Sequence, residues 1–145
     1  MFSAADSTIV IRTCALSTPL FCYGTLRHPH VMQRLLGWTP EASAARLPGY
    51  RCLQVVGKAY PGLWRDRNAD CTGYLYHGLT QHDITRLDHY EGDDYVRRYC
   101  MVRTPGGGRL IAWVYLYRRP EKLTTRIWRY ETFLRDSLVN YLGEL

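Results

Sequence analysis

Residues 20–27 read LFCYGTLR: an apolar run, a tyrosine, then Gly24-Thr25 and a short return to Leu26-Arg27. The run has strand composition. It stops just before His28–Leu36, where Val31, Met32, Leu35 and Leu36 recur at helical spacing and Gly37 stands where a C-terminal cap is expected. A strand that ends in Gly-Thr and leads into a helix frees the backbone N–H groups of Gly24, Thr25 and Leu26 from any ladder, close to the positive end of that helix. Such donors suit a carboxylate or a developing oxyanion, and a glycine admits a ligand close to the backbone. The other reading is an ordinary strand-to-helix turn. A phosphate loop is excluded, because the second glycine and the GK[ST] ending are missing.

Downstream, residues 43–56 (SAARLPGYRCLQVV) read as two strands around Pro48-Gly49. A third short strand would include Ala59-Tyr60 and be broken by Pro61-Gly62. Residues 71–79 (CTGYLYHGL) read as another, entered through the polar turn Asp66–Asp70. The period then changes: Thr80 and Asp83 have capping-box spacing, and Ile84, Leu87 and Tyr90 recur at helical intervals until Gly92. YVRRYCMVRT at 95–104 and RLIAWVYLY at 109–117, joined through Pro105–Gly108, form a hairpin pattern. Ile127, Leu134, Leu138 and Tyr141 share one face of a helix expected over about 124–142. This order predicts an α+β fold with a largely antiparallel sheet and two or three helices. One domain is expected over 19–145, with residues 1–18 as a loose extension.

A chain of 145 residues is long enough to bury one core, and 46% hydrophobic with 13% aromatic residues, twelve of them tyrosine, is a globular composition. No 18-residue apolar run is present, so no membrane span is expected. Cys14, Cys22, Cys52, Cys71 and Cys100 form no CxxC pair and leave one over, which argues against a disulfide framework and against zinc. The first nineteen residues lack the features of a signal peptide, and Asp6 argues against a transit peptide, so a cytoplasmic location is expected. The net charge of +6 comes from scattered Lys and Arg, with no basic stripe that carries aromatics, so no nucleic-acid partner is expected.

A second place for chemistry is LDHYEGDDYVRR, residues 87–98, where Glu91 falls on the last turn of the capped helix. The negative helix end disfavours another negative charge, so a partly buried Glu91 beside Asp93 and Asp94 would have a raised pKa suited to a general base. A solvated helix-end glutamate is the alternative. Tyr95 and Arg97, two apart on the next strand, would face the same side. His28-x-His30 beside Cys22 lacks the further ligands a metal site needs, and Trp113 and Trp128 are expected in the core.

Together FCYGTLR, RLPGY at 46–50, AYPGL at 59–63, GYLYHGL at 73–79 and LDHYEGDDYVRR resemble the gamma-glutamyl cyclotransferase-like family, in order over residues 20–118. The C-terminal segment with Trp128 and Phe133 is similar to its avirulence-induced-gene-like branch. The resemblance implies a small mixed β-barrel and an enzyme that releases 5-oxoproline from a γ-glutamyl amine or peptide. It implies Glu91 as the catalytic acid/base, and Tyr23, Gly24, Thr25, Leu26, Tyr95 and Tyr115 as substrate-binding residues, with Tyr117 on the same strand face as Tyr115. No metal or cofactor is implied, and glutathione is not the favoured donor. The same fold serving as a non-catalytic binding or sensor domain is the alternative reading.

Overall fold

The computed structural model describes residue 16 and residues 18–145. The expected loose extension, with Asp6 and Cys14, therefore lies outside the described residues apart from Leu16 and Thr18. The Leu16 amide donates to the Leu79 carbonyl at 2.8 Å. No helix among the described residues is long and apolar enough to cross a membrane.

The apolar run at 20–22 is β1 (Leu20–Cys22), buried at all three residues. It pairs antiparallel with β3 (Pro61–Tyr76), Phe21 opposite Leu75, and parallel with β5 (Arg109–Tyr117), Phe21 opposite Val114. A strand paired on both edges and covered on both faces needs an unbroken apolar sequence. Side chains alternate across it: Phe21 enters a cluster with Leu47, Leu75, Val102 and Val114, while Leu20 and Cys22 face Met32, Ile84 and Leu87 on the helices.

β5 pairs with β4 (Tyr95–Arg103), and β4 with β2 (Ala42–Val55). β2 also pairs with β3, which closes five strands into a barrel; β6 (Leu123–Ile127) adds to β2. Every pairing except β1 with β5 is antiparallel. Helix α1 (Pro29–Leu36), with its αL cap at Gly37, and helix α2 (Gln81–Glu91) cover the outer side of β1. The Thr80–Asp83 capping box forms in full, with Asp83 N to Thr80 Oγ1 at 3.2 Å and Thr80 N to Asp83 Oδ2 at 3.0 Å.

Four expectations about elements are corrected. Residues 42–55 form one strand rather than two, because Gly49, at φ 86°, absorbs a bulge between Pro48 and Tyr50 without ending the ladder. Residues 59–60 are not in a strand; Pro61 opens β3, where a missing N–H is tolerated. Gly62 is no breaker either: a Cβ there would stand 2.6 Å from the Tyr117 ring. Asp66–Asp70 lies within β3, its carboxylates meeting Arg51 at 2.7 Å and Arg46 at 3.0 Å across the hairpin. The polar composition there reflects an exposed ribbon, not a turn.

The helix expected over 124–142 is a strand and two helices. Leu123–Ile127 is β-rich sequence that pairs with β2, and the Thr124 hydroxyl donates to the Gln54 carbonyl at 3.0 Å. Helix α3 (Tyr130–Asp136) and helix α4 (Leu138–Glu144) follow, separated at Ser137. Trp113 and Trp128 are half-buried rather than core: Trp113 stacks on Tyr99 at 3.7 Å, and the Trp128 indole N–H donates to the Ala59 carbonyl at 2.7 Å. His28 caps α1, its Nδ1 accepting from the His30 amide at 3.1 Å.

Candidate active site

After β1 the chain bends at Tyr23-Gly24 and makes a single 3-10 turn, Thr25–Arg27, before α1. Three carbonyls of this segment are engaged. Gly24 O accepts from the Arg27 amide at 3.0 Å, Thr25 O from the His28 amide at 3.2 Å, and Leu26 O from the Tyr76 hydroxyl at 2.6 Å. The first amides of such a turn have no partner inside it, so Thr25 and Leu26 present N–H groups. These donors belong to the 3-10 turn and not to the N-terminus of α1, which His28 caps. The loop is tied to the sheet through Tyr23, whose hydroxyl donates to the Tyr115 carbonyl at 2.6 Å.

Helix α2 approaches from the other side and ends at Glu91. Tyr23, Gly24, Thr25, Leu26, Glu91, Tyr95 and Tyr115 all line one cavity of about 230 Å³. The strand register places Tyr115 opposite Arg97 and Tyr117 opposite Tyr95. Tyr115 reaches the cavity, and Tyr117 packs beside it against the Tyr95 ring at 5.2 Å. Tyr95 donates to the Pro61 carbonyl at 2.6 Å. Arg97 faces α2 as well but pairs with Asp88 below the cavity, Nε to Oδ1 at 2.8 Å.

Phe21 and Cys22 of β1 line the cavity too, as do Tyr60, Pro61, Tyr90, Asp94 and Tyr141, none of them anticipated as site residues from the sequence. Tyr90 and Asp94 flank the Glu91 motif, and their proximity to it was the available signal. Tyr141 comes from α4 and meets the loop through its hydroxyl, 3.2 Å from Thr25 Oγ1; the Tyr90 hydroxyl is 3.4 Å from the same atom.

No Lys, Arg or His lines the cavity among the described residues. Glu91 receives no protein hydrogen bond among them, and burial, followed by the charge of Asp88, pushes its carboxyl up to about 8. The cause thus differs from the helix end with Asp93 and Asp94 expected from the sequence. Burial also raises the Tyr95 and Tyr115 phenols and the Cys22 thiol, keeping them neutral. The cavity therefore holds one carboxyl that exchanges protons near neutrality, facing a turn of backbone donors. That pairing suits proton transfer to and from nitrogen beside an oxygen that gains charge.

Residues 20–134 match the family described as gamma-glutamyl cyclotransferase, AIG2-like. AIG2-like protein B of Arabidopsis thaliana is 30% identical over 83 residues, 57% of this chain and 48% of that protein. AIG2-like protein A of the same plant is 32% identical over 78 residues, 54% of this chain and 47% of that protein. The chain thus spans about half the length of these curated relatives. A solution structure of an Arabidopsis thaliana protein shares the fold at TM-score 0.68 and 23% identity, over 88% of this chain and 87% of that one. So does a structure titled gamma-glutamyl cyclotransferase, at TM-score 0.61 and 14% identity, over 88% and 85%.

Proposed function

The chain belongs to the gamma-glutamyl cyclotransferase, AIG2-like family, and from that membership we propose that it converts a γ-glutamyl amine or peptide into 5-oxoproline and the free amine. The observation that carries this reading is the meeting of Glu91 with the Thr25–Leu26 turn in one cavity. The substrate's α-amine attacks its own γ-carbonyl carbon, forming the ring C–N bond. Collapse of the tetrahedral intermediate breaks the bond to the leaving nitrogen, and one proton passes from the attacking to the leaving nitrogen. Both reacting groups lie in one molecule, so the cavity has to select the curled conformer and handle the proton.

Glu91 is suited to that proton. A peptide α-amino group titrates near 8, and the free α-carboxylate of a γ-glutamyl donor raises its amine above that; a carboxyl pushed up to about 8 lies far closer to such an amine than an ordinary glutamate does and accepts its proton at modest cost. An ordinary glutamate would be too weak a base for an ammonium group. The turn amides would take the oxyanion, replacing water with fixed donors. Burial keeps the Tyr95 and Tyr115 phenols protonated, which limits them to shaping and hydrogen bonding. The chemistry asks for no metal or cofactor, and turnover is expected to survive a chelator. A cytoplasmic location is part of this proposal, since the thiols of Cys22, Cys52, Cys71 and Cys100 would stay reduced there.

The test is incubation with γ-glutamyl amines, γ-glutamyl dipeptides, ε-(γ-glutamyl)lysine and glutathione, with 5-oxoproline measured. Release from at least one donor, abolished by Glu91→Gln, is the expected result. Binding without release would make the domain a sensor of the same fold.

A further inference from the structure

Helix α2 carries two carboxylates one turn apart in opposite circumstances. Glu91 faces the cavity with no protein donor among the described residues. Asp88 is held by three donors: Arg97 Nε at 2.8 Å, Arg97 Nη2 at 3.1 Å and the Tyr115 hydroxyl at 2.7 Å. Arg97 is itself laid over the Trp113 ring, 4.1 Å from its centroid. Burial would raise the Asp88 carboxyl, but the hydrogen bonds from Arg97 and Tyr115 and the Arg97 charge outweigh it and hold the group below the usual range. Asp88 is therefore an anion throughout the neutral range, yet it is absent from the cavity lining.

We propose that Asp88 is a positioning residue for the cyclisation, acting on the reaction through two neighbours: held by Arg97 and Tyr115, it fixes the Tyr115 phenol as a cavity wall, and it sets a carboxylate one helix turn from Glu91. The inference rests on the proposed function for its purpose, not for its physics. The Tyr115 proton is committed to Asp88, so the ring is held and its O–H is not offered to a substrate carbonyl.

The charge effect depends on what else faces Glu91. Cys22 and Tyr23 come from β1 and its loop, Tyr60 from the segment before β3, Tyr95 from β4 and Tyr115 from β5. Each is a thiol or phenol raised by burial, so each is neutral. Tyr141, from α4, is raised by burial as well. Asp94 lines the same cavity, with Arg119 Nε at 3.2 Å as its counter-ion. Among the described residues Asp88 is left as the charge that bears on Glu91, and like-charged carboxylates on one helix turn oppose each other's ionisation.

Two variants move Glu91 in opposite directions. Asp88→Asn keeps the shape and removes the anion, so the Glu91 midpoint should fall by roughly half a unit or more. Arg97→Gln keeps the anion and removes its counter-ion, so the midpoint should rise. A purely structural defect has no reason to split in sign this way. The midpoint is read directly, by carboxyl carbon-13 NMR on the folded protein, and independently as the acidic limb of kcat/KM. Opposite displacements in the two variants support the inference, and a midpoint unmoved in both overturns it. Should Asp88→Asn fail to fold, Arg97→Gln alone decides: a rise supports the inference, and no change or a fall overturns it. If the wild-type protein releases no 5-oxoproline from any donor, the proposed function falls while the NMR titration still judges Asp88.

Discussion

Gly24 lies against the ring of Pro61: a Cβ at Gly24 would stand 3.0 Å from both Cγ and Cδ of that proline. Its φ of −115° lies outside the left-handed region, and the proline ring is the constraint on any side chain placed here. Both residues line the cavity, and the Pro61 carbonyl also anchors the Tyr95 hydroxyl.

Gly24→Val should therefore damage the site before the fold. A β-branched side chain pushes Pro61 and the turn apart, an overpacking cost of about 1–3 kcal/mol concentrated at the cavity. KM for a γ-glutamyl donor is expected to rise at least tenfold, roughly 1.4 kcal/mol, while circular dichroism stays that of the wild type. Normal binding and turnover by this variant would make the loop a simple turn.

Glu91→Gln preserves size and hydrogen-bonding capacity but removes the proton carrier. Positioned acid–base groups contribute about 10²–10⁴ in rate, so kcat should fall by at least about 10² with KM little changed. In the wild type, the acidic limb of kcat/KM should sit near 8, where burial and Asp88 place the carboxyl, and not near 4.5. Ionisation of the free substrate's amine has to be measured separately, since it shapes the same profile.

The same substitution has a stability signature. Below about 4.5 Glu91 is protonated in both the folded and the unfolded chain and contributes nothing. Between there and about 8 the unfolded chain loses this proton while the folded one keeps it, so stability falls as pH rises through that window. Glu91→Gln removes the penalty. The variant should come nearest the wild type in calorimetry at pH 4 and exceed it at pH 8 by about 2–4 kcal/mol, roughly 6–12 °C in Tm. An equal Tm difference at the two pH values would show that Glu91 is not held in a desolvated site.

Tyr23→Phe separates structure from chemistry. Its hydroxyl is committed to the buried Tyr115 carbonyl and is not free to meet a substrate. Losing it leaves that acceptor without a partner and should cost about 1–3 kcal/mol in urea unfolding. The fall in kcat should be far smaller than the roughly 10² expected for Glu91→Gln. A kcat loss as large as that of Glu91→Gln would mean that the phenol takes part in the reaction.

Local pattern carried much of this molecule. The capping box at Thr80, the αL cap at Gly37 and the 95–117 hairpin all involve residues within one turn or one ladder of each other, and each was readable in the chain. The polar stretch 66–70 was misread because an exposed strand has the composition of a turn, and the β-branched run at 123–127 because periodicity cannot tell a short strand from a helix start when the partner strand is distant. For 123–127 that partner is β2, about seventy residues earlier.

The sequence by itself determined the opening strand, the two capped helices and the 95–117 hairpin, the family to which their motifs belong, and two places for chemistry, the Tyr23–Leu26 turn and Glu91. These are short-range properties: an apolar run halted by glycine, and a carboxylate on the last turn of a capped helix. Only the tertiary structure decided that the two places share one cavity, that Tyr60 and Tyr141 close it, and that Tyr115 rather than Tyr117 faces it. It also decided that Asp88, and not the adjacent Asp93 and Asp94, is the carboxylate that bears on Glu91. The physical reason is barrel closure. Parallel pairing of β1 with β5 brings Cys22 and Tyr115 to one end of the barrel, and helix α2 is laid across that end. Burial at this junction, a property of no single segment, sets the protonation of Glu91.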